Sequence, residues 1–366
     1  MKKIYLMLTV AIAGIALFAG TYKSSTFKGF ISGSPEIKSI SSLTFGTKGI
    51  LFIGDSKSAS IFAIETKDNK STEKASAVEL KNIDQAIAAA LGTQKENITI
   101  TDMVVNPLSK KVYISVQHSD GTPLLLKLEG NQLKSVSLKD VNYSKIELND
   151  VHAVDAKDQR GRPLRISTIS DLGYLDGKVL VSGLSNKEFS STFRTIPFPF
   201  KDKQEQASLE IYHAAHGRFE TSAPIKTFTT TQIGGKNYLV ASYTCTPLVL
   251  FSMDELKPGT HVKGRTVAEM GSGNTPIDMI TMKKDGESFL YMANTSKPAA
   301  KVSYKNIEAF EGTLKERVSG TAGTGFVALP FTNVLQLDKL DEKQVVMIQR
   351  KTNGDVDLWT ANDKSL

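Results

Sequence analysis

Residues 226 to 256 read KTFTTTQIGGKNYLVASYTCTPLVLFSMDEL. Two runs rich in Thr, Val, Tyr and Phe flank Gly234-Gly235, a pair able to take the positive φ angles of a two-residue hairpin, and a third run, PLVLFS, follows a second polar turn. Three short antiparallel strands are therefore expected. The same unit recurs at 41–65, 100–130, 169–198, 276–307 and 333–362, with Asp176-Gly177 and Asp285-Gly286 at matching hairpin turns. Repetition of a small antiparallel sheet predicts an all-β chain folded as a β-propeller. Six blades are expected, or seven if the stretch 141–168 holds a degenerate one.

The sixth copy supplies three strands before the chain ends, so its fourth must come from elsewhere. Residues 26–32, TFKGFIS, are expected to complete that sheet and close the ring, since an unpaired edge invites association. One short helix is expected between the first two copies at 82–92, NIDQAIAAALG. Ile83, Ile87 and Leu91 would share one face there, with Gly92 as the stop.

With 366 residues, 40% of them hydrophobic, the chain can bury a large core, which excludes disorder as the main state. Residues 1–20, MKKIYLMLTVAIAGIALFAG, read as a signal peptide or, left uncleaved, an anchor, with no membrane span beyond it; residues 21–366 form one propeller domain. An exported protein, periplasmic or extracellular, is the resulting expectation. Losing Lys2 and Lys3 with that segment takes the net charge from +7 to +5, spread thinly and without a basic block interleaved with aromatics. Nucleic-acid binding is accordingly not expected. The only cysteine, Cys245, cannot form an internal disulfide.

Propeller geometry places the starts of inner strands and the ends of second strands on one face. The segment HAAHGRFE leads into the fourth copy, and Cys245 follows that copy's second strand. Four of the five histidines, His118, His152, His213 and His216, would face that mouth, with His261 on an outer strand. Two imidazoles, a carboxylate and a thiolate suit copper, zinc or iron, and Gly217 would let the chain turn so that both rings meet. The candidate ligands are His213, His216, Glu220, Cys245 and His118, with His152, Asn186, Asn274 and Asp278 behind them. Against this stands packing: such histidines also serve simply by bonding backbone carbonyls. Asp102, Asp171 and Asp278 are read as acceptors for backbone N–H groups of a neighbouring turn, and Asp55 and Asn294 as turn formers. No C-x-x-C-H is present for haem, no G-x-S-x-G elbow occurs, and GSGNTP and GTAGTG lack a strand-to-helix context for phosphate.

GTKGILFIGDSKSASIFAIE and LGYLDGKVLVSGLSN resemble the secreted bacterial β-propellers of the broad NHL, YVTN and SMP-30 type. LSNKEFSSTFRTIPFPF, IYHAAHGRFETSAPIKTF and YTCTPLVLF are similar to an exported group of propellers without an assigned activity. The resemblance implies the fold. SMP-30-type lactonases also bind a divalent ion through Glu, Asn and Asp, for which Asn149, Asn186, Asn274 and Asp278 offer comparable chemistry. Three functions stay open: a binding or redox-accessory propeller holding a small ligand such as a transition metal, a calcium-dependent lactonase or esterase-like hydrolase, and a scaffold gripping another envelope protein.

Overall fold

A computed structural model describes residues 27–362 and 364–366; the expected signal segment 1–20 lies outside them. Six sheets, antiparallel but for the parallel pairing of Glu205–His213 with His261–Lys263, form a ring of blades, numbered I to VI by their inner strands: Ser42–Phe45, Ile98–Val105, Asp171–Leu175, Thr227–Ile233, Pro276–Lys284 and Val334–Lys339. Each blade is covered on both faces, so its middle strands read as nearly continuous apolar runs, as in Ile50–Asp55, where every residue is buried. An apolar layer fills each gap between neighbours. Phe52 of blade I meets Val179 and Ile196 of blade III, Phe193 of blade III meets Leu239 and Phe251 of blade IV, and Leu43 of blade I meets Val104 and Tyr113 of blade II. At about 1.5–3 kcal/mol for each large side chain buried, these six layers hold the disc together.

Neighbouring inner strands give a ring order of II, I, III, IV, V, VI and back to II. The chain therefore does not lay down its blades in simple succession. After three strands of blade I it crosses to blade VI, where Glu79–Leu80 pairs with Val356–Asn362. It then forms the helix Ile83–Leu91 and blade II, and returns as Val141–Glu147 to pair with the third strand of blade I.

Two expectations are corrected here. The fourth strand of blade VI is Glu79–Leu80, whereas the N-terminal strand Ile31–Gly33 lies on the edge of blade I, opposite Val141–Glu147. Packing explains the exchange: Val78 and Leu80 join the apolar layer between blades II and VI, while Phe27 and Phe30 join that between I and III, Phe30 meeting Phe198 at 6.1 Å. The stretch 141–168 is not a seventh blade, because its one long strand completes blade I. The helix behaves as expected: Ile83 and Ile87 are buried against the II–VI layer, and Gly92 (φ 67°) ends it. Among the described residues no helix is long and apolar enough to cross a membrane.

The inner aspartates link blade to blade. The N–H groups of Leu43, Phe228 and Leu337 donate to Asp102, Asp171 and Asp278 at 2.6, 2.9 and 2.6 Å, as expected for these three. A fourth, Asp338, accepts from Val105 at 2.6 Å and escaped the repeat comparison because Lys339 rather than an apolar residue follows it. Together they wall a narrow axial cavity of about 110 Å³. A larger cavity, about 610 Å³, opens at the far ends of the inner strands beside Phe45, Val105 and Lys339.

Candidate functional site

The fourth strand of blade III, Glu205–His213, pairs with the third only from Thr195↔Glu205 to Thr192↔Ser208. It then overruns the blade and forms a second hairpin with Arg218–Glu220. His213 closes the strand, its carbonyl accepts the N–H groups of His216 (3.1 Å) and Gly217 (2.8 Å), and Gly217 takes φ 66°. A side chain there would meet Arg317 Cβ at 2.9 Å, so glycine suits both the turn and the crowding. The turn brings the two imidazoles together, tilted by 43° with ring centroids 3.9 Å apart.

Blade IV contributes from the same face. Thr227, Ser242 and Leu248 lie in register across its first three strands, so the turn 243–246 projects beside the hairpin of blade III. Cys245 (φ 69°) and Thr246 (φ 56°) are both left-handed, a conformation that costs a residue with a side chain about 1–2 kcal/mol. They are held there by Cys245 N–H to Asn274 O at 2.7 Å, Thr246 N–H to Tyr243 O at 2.9 Å and Thr246 Oγ1 to Gly271 O at 2.8 Å.

One donor atom from each of His213, His216 and Cys245 lies within 4.8 Å of the others. Glu220 orients both rings, its carboxylate lying 3.0 Å from His213 Nδ1 and 2.7 Å from His216 Nδ1, with Arg218 Nε at 3.2 Å. Burial alone would raise this carboxyl, but the hydrogen bonds and charges of His213, His216 and Arg218 hold it down at about 2. An ionised carboxylate only accepts, so each Nδ1 donates its hydrogen to Glu220 and each Nε2 is left as the nitrogen not engaged by that carboxylate. His213 is 1% exposed and its Nε2 has no hydrogen-bond partner among the described residues. His216 is 41% exposed and leaves the cluster open to solvent on one side.

The other candidates are placed elsewhere. The cluster itself sits toward the rim between blades III and IV and not at the channel mouth, because His213 comes from the fourth strand of its blade, three strands out from the channel. His118 is on blade II, separated from blade III by blade I, and is engaged with Thr93 Oγ1 at 3.1 Å and Asp120 at 3.0 Å. His152 lies in the loop before blade III, its carbonyl accepting from Arg165 at 2.6 Å. His261 is on a strand outside blade III, bonded to Glu210 at 3.0 Å. Asn186 is exposed, with its N–H donated to Asp150 O at 2.9 Å. Asn274 Oδ1 accepts from Ser296 N–H at 3.0 Å, Asn149 donates its N–H to Gln204 at 3.2 Å, and Asp278 belongs to the channel. Asp55 binds Ser39, Ser58 and Lys38 as a turn former.

Sequence reasoning passed over Glu269, on the outer strand Arg265–Met270 of blade IV. It is fully buried, and its Oε2 accepts the N–H of Ala215, between the two histidines, at 3.1 Å. Burial pushes its carboxyl up, against the Ala215 N–H and the nearby His213 and His216 charges. The available signal was a charged residue inside the apolar run TVAEM.

No protein-family model matches the chain, and no curated protein matches it. Among solved structures it is similar to a chain of a mitotic checkpoint complex, at 9% identity over 97% of this chain and 100% of that one, with a TM-score of 0.35. It is also similar to a chain from the structure of Drosophila Plexin A in complex with Semaphorin 1b, at 10% identity over 92% and 87%, with a TM-score of 0.39. A third is Raptor from Chaetomium thermophilum, at 10% identity over 93% of this chain and 29% of that one, also with a TM-score of 0.39. None of these likenesses carries an argument about function.

Proposed function

We propose that this chain is an exported metal-binding β-propeller whose ion sits between blades III and IV, on His213 Nε2, His216 Nε2 and Cys245 Sγ. The observations that carry the reading are the gathering of one donor atom from each of these three residues within 4.8 Å and, on His213, a buried Nε2 without a partner among the described residues. A buried, unbonded polar atom costs about 1–3 kcal/mol, and a metal bond would remove that cost. Glu220 holds both rings from behind, as carboxylates commonly do for metal-bound histidines. Two imidazoles and a thiolate suit zinc or copper, with one coordination position left toward solvent.

The purified chain is expected to take up one equivalent of Co²⁺, used as a spectroscopic stand-in for zinc, with a thiolate charge-transfer band. The band should vanish in the His213→Ala, His216→Ala double variant. Cys245→Gly is expected to lose the band while melting at or above the wild-type temperature, because glycine relieves the left-handed strain. Uptake by the wild-type chain below about a tenth of an equivalent overturns the proposal.

A second reading, a docking face for another envelope protein, is favoured by the exposed Val154, Ile166, Phe189 and Phe219 around the same face. Pull-down of a partner that survives the double variant and is lost on Phe219→Asp would support it.

A further inference from the structure

Glu269 Oε1 is buried without a hydrogen-bond partner among the described residues, while Oε2 is fixed by Ala215 N–H. Glu269 lies opposite Pro247, two residues beyond Cys245, and opposite Ala322 of the edge strand Thr321–Gly323, which covers it. Among the described residues no Lys, Arg or His nitrogen lies within 4.0 Å of it, whereas Glu220 has Arg218 at 3.2 Å. The result is a buried carboxyl group, without a cationic partner among the described residues, held against the turn between the two histidines.

We propose, on the strength of the metal reading above, that Glu269 is the charge-balancing carboxylate of that site and makes it select a divalent over a monovalent ion. The three donors alone carry one negative charge, on the thiolate. With them a monovalent ion would form a neutral centre and a divalent ion would leave a positive one. Adding the Glu269 carboxylate reverses the preference, since a divalent ion then forms the neutral centre. Uncompensated charge is disfavoured where water is partly excluded, so this one residue biases the site toward the divalent ion. Its oxygens are not part of the three-donor cluster, so the effect is through charge, direct or bridged by water.

The test is a titration of the full chain with Zn²⁺ and with Ag⁺, an air-stable monovalent thiophile, in chloride-free buffer. Glu269→Gln is the main variant, because its amide oxygen can keep the Ala215 hydrogen bond. Zinc affinity is expected to fall about 10- to 100-fold in this variant, with silver affinity unchanged or higher. Should Glu269→Gln fail to fold, Glu269→Asp, which keeps the charge but withdraws it by one methylene, is expected to weaken zinc without weakening silver. Zinc affinity unchanged by either variant, or zinc and silver affinities that fall by the same factor in Glu269→Gln, overturns the role of Glu269 and leaves the metal site standing. Wild-type protein that binds neither ion overturns the metal reading itself.

Discussion

Raising the pH from 5 to 8 is expected to destabilise this protein, by on the order of 3 kcal/mol, counting about 1.4 kcal/mol for each unit of carboxyl shift. The cause is the aspartate ring. Burial pushes Asp171 up to about 7 and Asp338 to about 6, against the backbone N–H groups that pull both down. Asp102 and Asp278 are raised well above the usual range, first by burial and then by neighbouring charges, those of Asp171 and Asp338 on Asp102 and those of Asp102, Asp171 and Asp338 on Asp278. Below the ordinary aspartate value both folded and unfolded chains hold these protons. As the pH rises the unfolded chain releases them first, so folding loses stability until the folded carboxyls have also titrated, which Asp338 and Asp171 do at about 6 and 7. His152, held low by burial, works in the opposite direction below about pH 6.5, while the raised Glu269 carboxyl works with the ring. Urea unfolding at pH 5 and pH 8 measures the slope, and Asp338→Asn is expected to flatten it. Asp338→Ala strands the N–H groups of Val105 and Lys339 and should cost about 2–4 kcal/mol at either pH. Stability that is flat or rising across this range would show that the ring charges are compensated.

The second large effect concerns ring closure. Val78→Asp with Leu80→Asp places two charges where apolar side chains enter the II–VI layer, and is expected to cost at least about 3 kcal/mol. The segment is short, but it carries the Thr360 N–H to Val78 O bond at 2.9 Å, the Val78 N–H to Thr360 Oγ1 bond at 2.8 Å and the Asn82 N–H to Asp357 bond at 3.0 Å. Among the described residues, removing residues 1–34 takes away an edge strand of blade I and the Phe27 and Phe30 contacts, a loss of about 1–2 kcal/mol. Thermal melts of the two variants compare them directly. A larger drop for the truncation would return the closing role to the N-terminal segment.

Much of the site was legible because its parts are close in the chain. His213, His216 and Glu220 are spaced three and four apart around Gly217, and that spacing alone brings both rings to one carboxylate. Cys245 was a sound candidate as soon as the hairpin turn put it on the same face. Glu269 was not legible, because an outer strand gives no hint of which loop of the neighbouring blade will cover it. His118 looked equivalent to Cys245 by position in the repeat, and only the place of blade II beyond blade I separates them.

Taken by itself, the sequence determined the local matters: six hairpin-built sheets, the helix over Ile83, Ile87 and Leu91, and the aspartates that accept from the next blade. Alternation, turn residues and short-range spacing carry that information within a few residues. Tertiary structure alone decided the ring order, the closing strand Glu79–Leu80 and the return of Val141–Glu147 to blade I. A two-residue strand has no periodicity to read, and a sheet face accepts any neighbour of matching apolar shape. Which blades meet is therefore settled only when all six layers pack at once, and with it which side chains share the site between blades III and IV.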